Sequence, residues 1–235
     1  MRSLKFKLVF VPLIVAGATI VWAQAGTIPE GFTPIFDGKT TKGWHPSRST
    51  RHGSTPNFSV ENGDLVLRQH PYAQGGLIFT NKKYHNFDLY IEVKAGWGCN
   101  SGIFLRSTEE GSAYQIELDQ ARGTGGLLGE GMRVSVGARP TDIDKVWKND
   151  EWNSIRVRME GDAPHITEWI NGVQMFDVQE PVNDKIAGKT DGYIGVQLHY
   201  GSVYEPEAAH AFDLSSMWKP EGSYRFRNIA IKELP

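Results

Sequence analysis

Apolar residues recur along this chain at two different spacings. From Leu8 to Val21 they run almost unbroken; beyond residue 26 they fall at every second position, the repeat of a strand with one buried face. In NFDLYIEVK, Phe87, Leu89, Ile91 and Val93 share a side. SGIFLRS, AYQIELD, NSIRVRME, HITEWING, GYIGVQLHY and YRFRNIAIKE follow, and none sustains a helical period. Asn62-Gly63 sits between two short runs in PNFSVENGDLVLR, and Asn171-Gly172 follows Trp169-Ile170, both strong signals for tight hairpins. Two irregular stretches, 120–150 and 201–222, are rich in Gly, Pro and charge, and loops of that length usually form functional rims. The pattern predicts an all-β chain of antiparallel strands in two packed sheets, a sandwich or jelly roll.

The polar faces carry the candidate chemistry. In AYQIELD, Gln115, Glu117 and Asp119 lie opposite Tyr114, Ile116 and Leu118. In SGIFLRS the face away from Ile103 and Leu105 holds Gly102, Phe104 and Arg106; in GYIGVQLHY the face away from Ile194, Val196 and Leu198 holds Gly195, Gln197 and His199. If these three strands are neighbours, an acid pair, an arginine and a histidine converge on one surface. Each has a plainer reading: a solvated face for the acids, a salt bridge for Arg106, a hydrogen-bonded sheet histidine for His199. The tryptophans, Trp44 and Trp169 among them, serve core packing more often than sugar stacking.

Composition narrows the class. Hydrophobic residues make up 40% of the chain and charged ones 22%, enough to bury a core, and a net charge of -2 gives no electrostatic reason to bind nucleic acid. Arg2, Lys5 and Lys7 before the apolar run, and Ala23-Gln24-Ala25 after it, form a cleavable export leader over residues 1–25. The expectation is one domain over 26–235, periplasmic or extracellular and without a membrane anchor after cleavage. Cys99 is the one cysteine and has no internal disulfide partner.

The ordered set FDGK, GW, GGLIFTNKKYHNFDLYIEVK, NSGIFLRS, AYQIELDQ, DEWNSIRVRMEG, WINGVQMFDV, GYIGVQLHYG and RFRNIAIKEL resembles the landmarks of the 3-keto-disaccharide hydrolase domain family from about residue 32 onward. The resemblance implies a concanavalin A-like jelly roll with long loops on its concave rim, secretion by bacteria, an oxidoreductase as functional partner, and action on glycosides already oxidised at C3. Where many members carry tryptophan, an acid and glycine, this chain has Phe79, Asn81 and Tyr200.

A C3 ketone acidifies the C2 hydrogen, so a base can remove it and the resulting enediolate can expel the C1 oxygen, with water adding afterwards. That route needs a base, an oxyanion stabiliser and a proton donor. The expected assignments are His199 or Glu117 as base, Arg106 at the enolate, and Asp119, Gln197, Gln115 and Phe104 around the sugar. A two-carboxylate glucanase of the E-x-D-x-E or E-x-D-x-x-E kind begins at Glu117-Leu118-Asp119 but finds Ala121 and Arg122 in place of the second acid, leaving only an acid from the 120–150 stretch to complete it. Seven histidines at 45, 52, 70, 85, 165, 199 and 210 show no ligand spacing, so no metal or other cofactor is expected; a divalent ion on oxygens such as those of Asp119 or Glu117 is the alternative left open. The non-catalytic alternative is a lectin-like carbohydrate-binding domain, which the same fold supports.

Overall fold

The computed structural model describes residues 26–53, 57–69, 74–96, 98–119, 123–183, 188–201 and 222–235. The leader, Ala121, Arg122 and most of the 201–222 stretch lie outside them. Two antiparallel sheets face one another. The larger runs β12 (Val173–Gln179), β11 (His165–Ile170), β10 (Asn153–Glu160), β6 (Phe87–Ala95), β14 (Tyr224–Glu233), β4 (Asp64–Arg68) and β3 (Asn57–Glu61), with β1 (Thr33–Pro34) also paired to β14. The smaller runs β2 (Trp44–Pro46), β5 (Gly76–Tyr84), β13 (Gly192–Leu198), β7 (Asn100–Ser107), β8 (Ala113–Asp119) and β9 (Leu127–Glu130). The one helix among the described residues, α1 (Ile143–Val146), is a single turn in the 120–150 stretch.

Alternation builds the sandwich as the sequence suggests. Phe87, Leu89, Ile91 and Val93 of β6 are fully buried and meet Ile103, Leu105, Ile116, Leu118, Ile194 and Val196 of the smaller sheet in one core. Asn62 and Asn171 take left-handed backbone at their hairpins, as do Gly63 and Gly172. One polar pin crosses this core: the Tyr224 hydroxyl donates to the Leu118 carbonyl at 2.6 Å, fixing the backbone between Glu117 and Asp119.

Arg106 departs from expectation. Its φ of 49° breaks the alternation, beside the register shift of β13 between Tyr193 and Gly195. The side chain is 1% exposed and donates to the His85 carbonyl at 2.7 Å, the Gly161 carbonyl at 2.8 Å and the Asn86 amide oxygen at 3.2 Å. It therefore ties β7 to the β5–β6 and β10–β11 turns of the sandwich, with its pKa lowered by burial to about 10. The oxyanion role foreseen for Arg106 is withdrawn on this geometry.

Candidate active site

Strand order makes the three polar strands neighbours. β13 pairs with β7 and β7 with β8, so the outward residues form rows. Asn100 lies opposite Asp119, Gly102 opposite Glu117 and Phe104 opposite Gln115. On the other flank Gly195 lies opposite Phe104, and the His199 amide donates to the Asn100 carbonyl at 3.3 Å. His199 and Asp119 thus bracket Asn100 in one row, with backbones two strand spacings or roughly 10 Å apart. Glu117 and Gln197 flank Gly102 in the next.

Glycine makes room in the floor. A Cβ at Gly102 would fall 1.9 Å from the Gln115 amide nitrogen, so the missing side chain is what lets Gln115 lie across β7. From there Gln115 donates to the Gln197 amide oxygen at 3.3 Å, and the Gln197 amide nitrogen meets His52 Nδ1 at 3.3 Å. The Asn100 amide donates to Asp119 at 3.0 Å; Asp119 is 1% exposed. Arg139 donates to Glu117 at 2.9 Å from a mostly exposed position. His199 Nδ1 is engaged by the backbone of Gly201, its carbonyl at 2.7 Å and its amide at 3.1 Å, while Gln69 holds the His199 carbonyl at 2.8 Å. Tyr200, half exposed, stacks on His199 with centroids 4.6 Å apart.

The other half of this face is closed. After β2, residues 47–53 cross the sheet: the Ser47 amide bonds Leu77, its hydroxyl bonds the Glu109 carbonyl, and Arg51 reaches Ser112. Leu77, Phe79, Phe104 and Ala113 are consequently fully buried in a second small apolar cluster. Phe104 was expected to touch sugar; instead it supports His52, whose ring meets it edge-on at 5.7 Å. Burial, then the charge of Arg51 and the proximity of His199, lower the His52 pKa to about 4.

The structure thus gathers His199, Glu117, Asp119, Gln197 and Gln115, and sets Arg106 and Phe104 apart. Three residues of the cluster escaped the sequence reading. Asn100 was legible, being two positions before Gly102 on the same face; His52 and Arg139 come from stretches without periodicity. Glu130, the acid that the 120–150 stretch adds to the sheet, lies opposite Ala113, four residues or about 13 Å along the backbone from Glu117. That exceeds the roughly 5 Å of a retaining carboxylate pair and the roughly 6.5–9.5 Å of an inverting one. Among the described residues, no group of three His, Cys, Asp or Glu side chains is placed to hold a metal.

Residues 31–232 match the family model described as the 3-keto-alpha-glucoside-1,2-lyase-like domain. The chain belongs to this family. Within the 3-keto-alpha-glucoside-1,2-lyase-like domain, the motif resemblance therefore extends over nearly all of the described strands. A 3-keto-disaccharide hydrolase of Bacteroides thetaiotaomicron is 35% identical over 86 residues, a match covering 34% of this chain and 29% of that relative, less than a third of its length. A candidate glycosyl hydrolase of Parabacteroides distasonis aligns with a TM-score of 0.58 at 24% identity over 88% of this chain and 95% of the other. A Bacillus subtilis protein of unknown function with a galectin-like fold aligns at 0.55 and 11% identity, covering 82% and 90%. These two likenesses establish the fold, a jelly-roll sandwich. The three departures of this lyase-like domain are also placed: Phe79 stacks under Tyr193 at 5.6 Å, Asn81 meets His45 Nδ1 at 2.7 Å, and Tyr200 covers His199.

Proposed function

We propose that this chain is an exported enzyme that cleaves glycosides and disaccharides bearing a ketone at C3. The observation that carries the reading is the row geometry of a family member: a histidine and a carboxylate on one sheet face, separated by the single strand β7 and a floor that Gly102 leaves open. In this reading His199 carries its proton on Nδ1, which donates to the Gly201 carbonyl at 2.7 Å, and takes the C2 proton through Nε2. The electron pair moves into the C2–C3 enediolate, and the C1–oxygen bond then breaks. Across the floor Glu117 holds the Arg139 guanidinium, which offers the anion stabilisation foreseen for Arg106, and the proton that His199 takes from C2 passes to the departing oxygen. Gln115 and Gln197 read hydroxyls, and Asn100 orients Asp119. Water then adds to the unsaturated sugar to complete hydrolysis. No step calls for a cofactor. A 3-keto substrate presupposes an oxidoreductase acting earlier, and the basic, apolar leader ending in Ala23-Gln24-Ala25 supports work in the periplasm or outside the cell.

The test is incubation of the purified chain with 3-keto-glycosides and their unoxidised parents. Aglycone should be released only from the former, with loss of deuterium placed at C2. His199→Ala and Glu117→Gln should each slow release by about a hundredfold or more. Binding without turnover would assign the domain to the lectin class instead.

A further inference from the structure

Far from this site, on the outward face of the larger sheet, lies a carboxylate that water does not reach. Glu92 of β6 is 0% exposed although its neighbours in sequence, Ile91 and Val93, take the core side. It is opposite Arg227 in β14 and Ser154 in β10. Arg227 Nε donates to it at 2.7 Å and the Tyr90 hydroxyl at 2.8 Å, while the Arg227 guanidinium lies 3.9 Å over the Trp152 ring. The third donor is the backbone nitrogen of Gly26. Residues following Gly26 continue over the same face, where the Phe32 ring meets Tyr90 edge-on at 6.5 Å and lies under Arg156. Burial alone would raise the Glu92 pKa, yet the donors from Gly26, Arg227, Tyr90 and Asn228 hold it below the ordinary value.

Gly26 is also the residue that directly follows Ala23-Gln24-Ala25, the small-x-small pattern of leader cleavage. Its backbone nitrogen therefore has two identities. In the precursor it is an amide with one proton to donate; after cleavage before it, it is an ammonium with three protons and a full charge. A buried carboxylate favours the second strongly, since charge-assisted hydrogen bonds are about twice as strong as neutral ones.

We infer that the exported chain is cut between Ala25 and Gly26, and that Glu92 is a prebuilt receptor for the α-ammonium so created. The inference rests on the export reading above. In the cut, catalysed by the signal peptidase of the export machinery, water adds across the Ala25–Gly26 amide. The C–N bond breaks, the hydroxyl stays on Ala25 as its carboxylate, and Gly26 takes up protons to become the ammonium. Removal of the leader then does more than release the chain, because it completes an ion pair that holds residues 26–32 against the sheet.

Two measurements test this. The full-length precursor is expressed in a Gram-negative host, and the periplasmic product is read by intact mass and N-terminal sequencing. A single product beginning at Gly26 is expected. A periplasmic product beginning elsewhere overturns this inference alone, whereas an uncut chain retained in the cytoplasm overturns the export reading with it. Next, three forms are made without the leader: one beginning at Gly26 with a free amine, one N-acetylated at Gly26, and one extended by Ala-Gln-Ala. The free-amine form should melt at least about 2–4 °C above the other two. Glu92→Gln should abolish that difference; if this variant does not fold, the comparison of free and acetylated wild-type chains decides alone. Equal melting of the three forms overturns the proposal.

Discussion

Arg106 offers the sharpest test of the geometry, because sequence and structure assign it opposite roles. Replacing it with glutamine removes the guanidinium but keeps a polar side chain. Three acceptors then lose their donor: the His85 and Gly161 carbonyls and the Asn86 amide oxygen. A hydrogen bond from a charged group contributes about 1.5–3 kcal/mol, so the sum has an upper limit near 9 kcal/mol. Several kcal/mol of desolvation for a guanidinium 1% exposed must be set against it. A net loss of about 3–5 kcal/mol remains, which for a domain of this size lowers the melting temperature by roughly 10 °C. Urea unfolding of Arg106→Gln beside His199→Ala measures it. Arg106→Gln should lose stability and keep its turnover per folded molecule, while His199→Ala should do the reverse. An Arg106→Gln protein that melts within 2 °C of wild type but no longer cleaves 3-keto-glycosides would refute the structural assignment.

Three other outcomes follow from buried groups near the core and the site. His52 stays neutral in the fold down to about pH 4, whereas the unfolded chain takes up its proton near 6.5. The unfolded state binds more protons in that window, so stability should fall by roughly 3 kcal/mol as pH drops from 6.5 to 4, and His52→Gln should flatten that part of a denaturation-versus-pH curve. Glu168 is fully buried with neither oxygen hydrogen-bonded among the described residues, and burial pushes its pKa well up. The folded state keeps a proton that the unfolded one releases above about pH 4.5, so stability declines as pH rises past that point; Glu168→Met should raise stability at pH 7 by about 1–3 kcal/mol, seen as a higher melting temperature. Gly102→Ala places a methyl where the Gln115 amide lies, and should reduce kcat/KM about tenfold through loss of the Gln115–Gln197–His52 chain while changing the melting temperature little.

What the sequence discloses here is local. Alternation at period two is imposed by the pleat, so the inward set of β6 and the outward set of β8 could be read directly from NFDLYIEVK and AYQIELD. Asn-Gly dipeptides fixed two hairpins for the same reason: both residues tolerate left-handed backbone. Arg106 was misread because alternation fails there, at a positive φ that nothing in SGIFLRS announces. Phe104 was placed on the right face, yet its burial depends on residues 47–53, which cross from more than fifty positions away. His52 and Arg139 reach the cluster by the same kind of long-range contact, and α1 is too short to show a period. Five residues, 108–112, separate β7 from β8, so their pairing is local, whereas the placing of β13 beside β7 is a property of chain topology, invisible to any window of residues.

The crossing of residues 47–53 also sets the shape of molecule this face can admit. An unroofed sheet lets a long polymer lie along its whole width, with sugar units on both sides of the reacting bond. Here residues 47–53 and His52 cover one side, so a chain lying across the open rows meets a wall at that edge. Under the proposed function, that wall favours the trimming of single units or the splitting of lone disaccharides, and lengthening the substrate beyond the units flanking the scissile bond should gain it nothing.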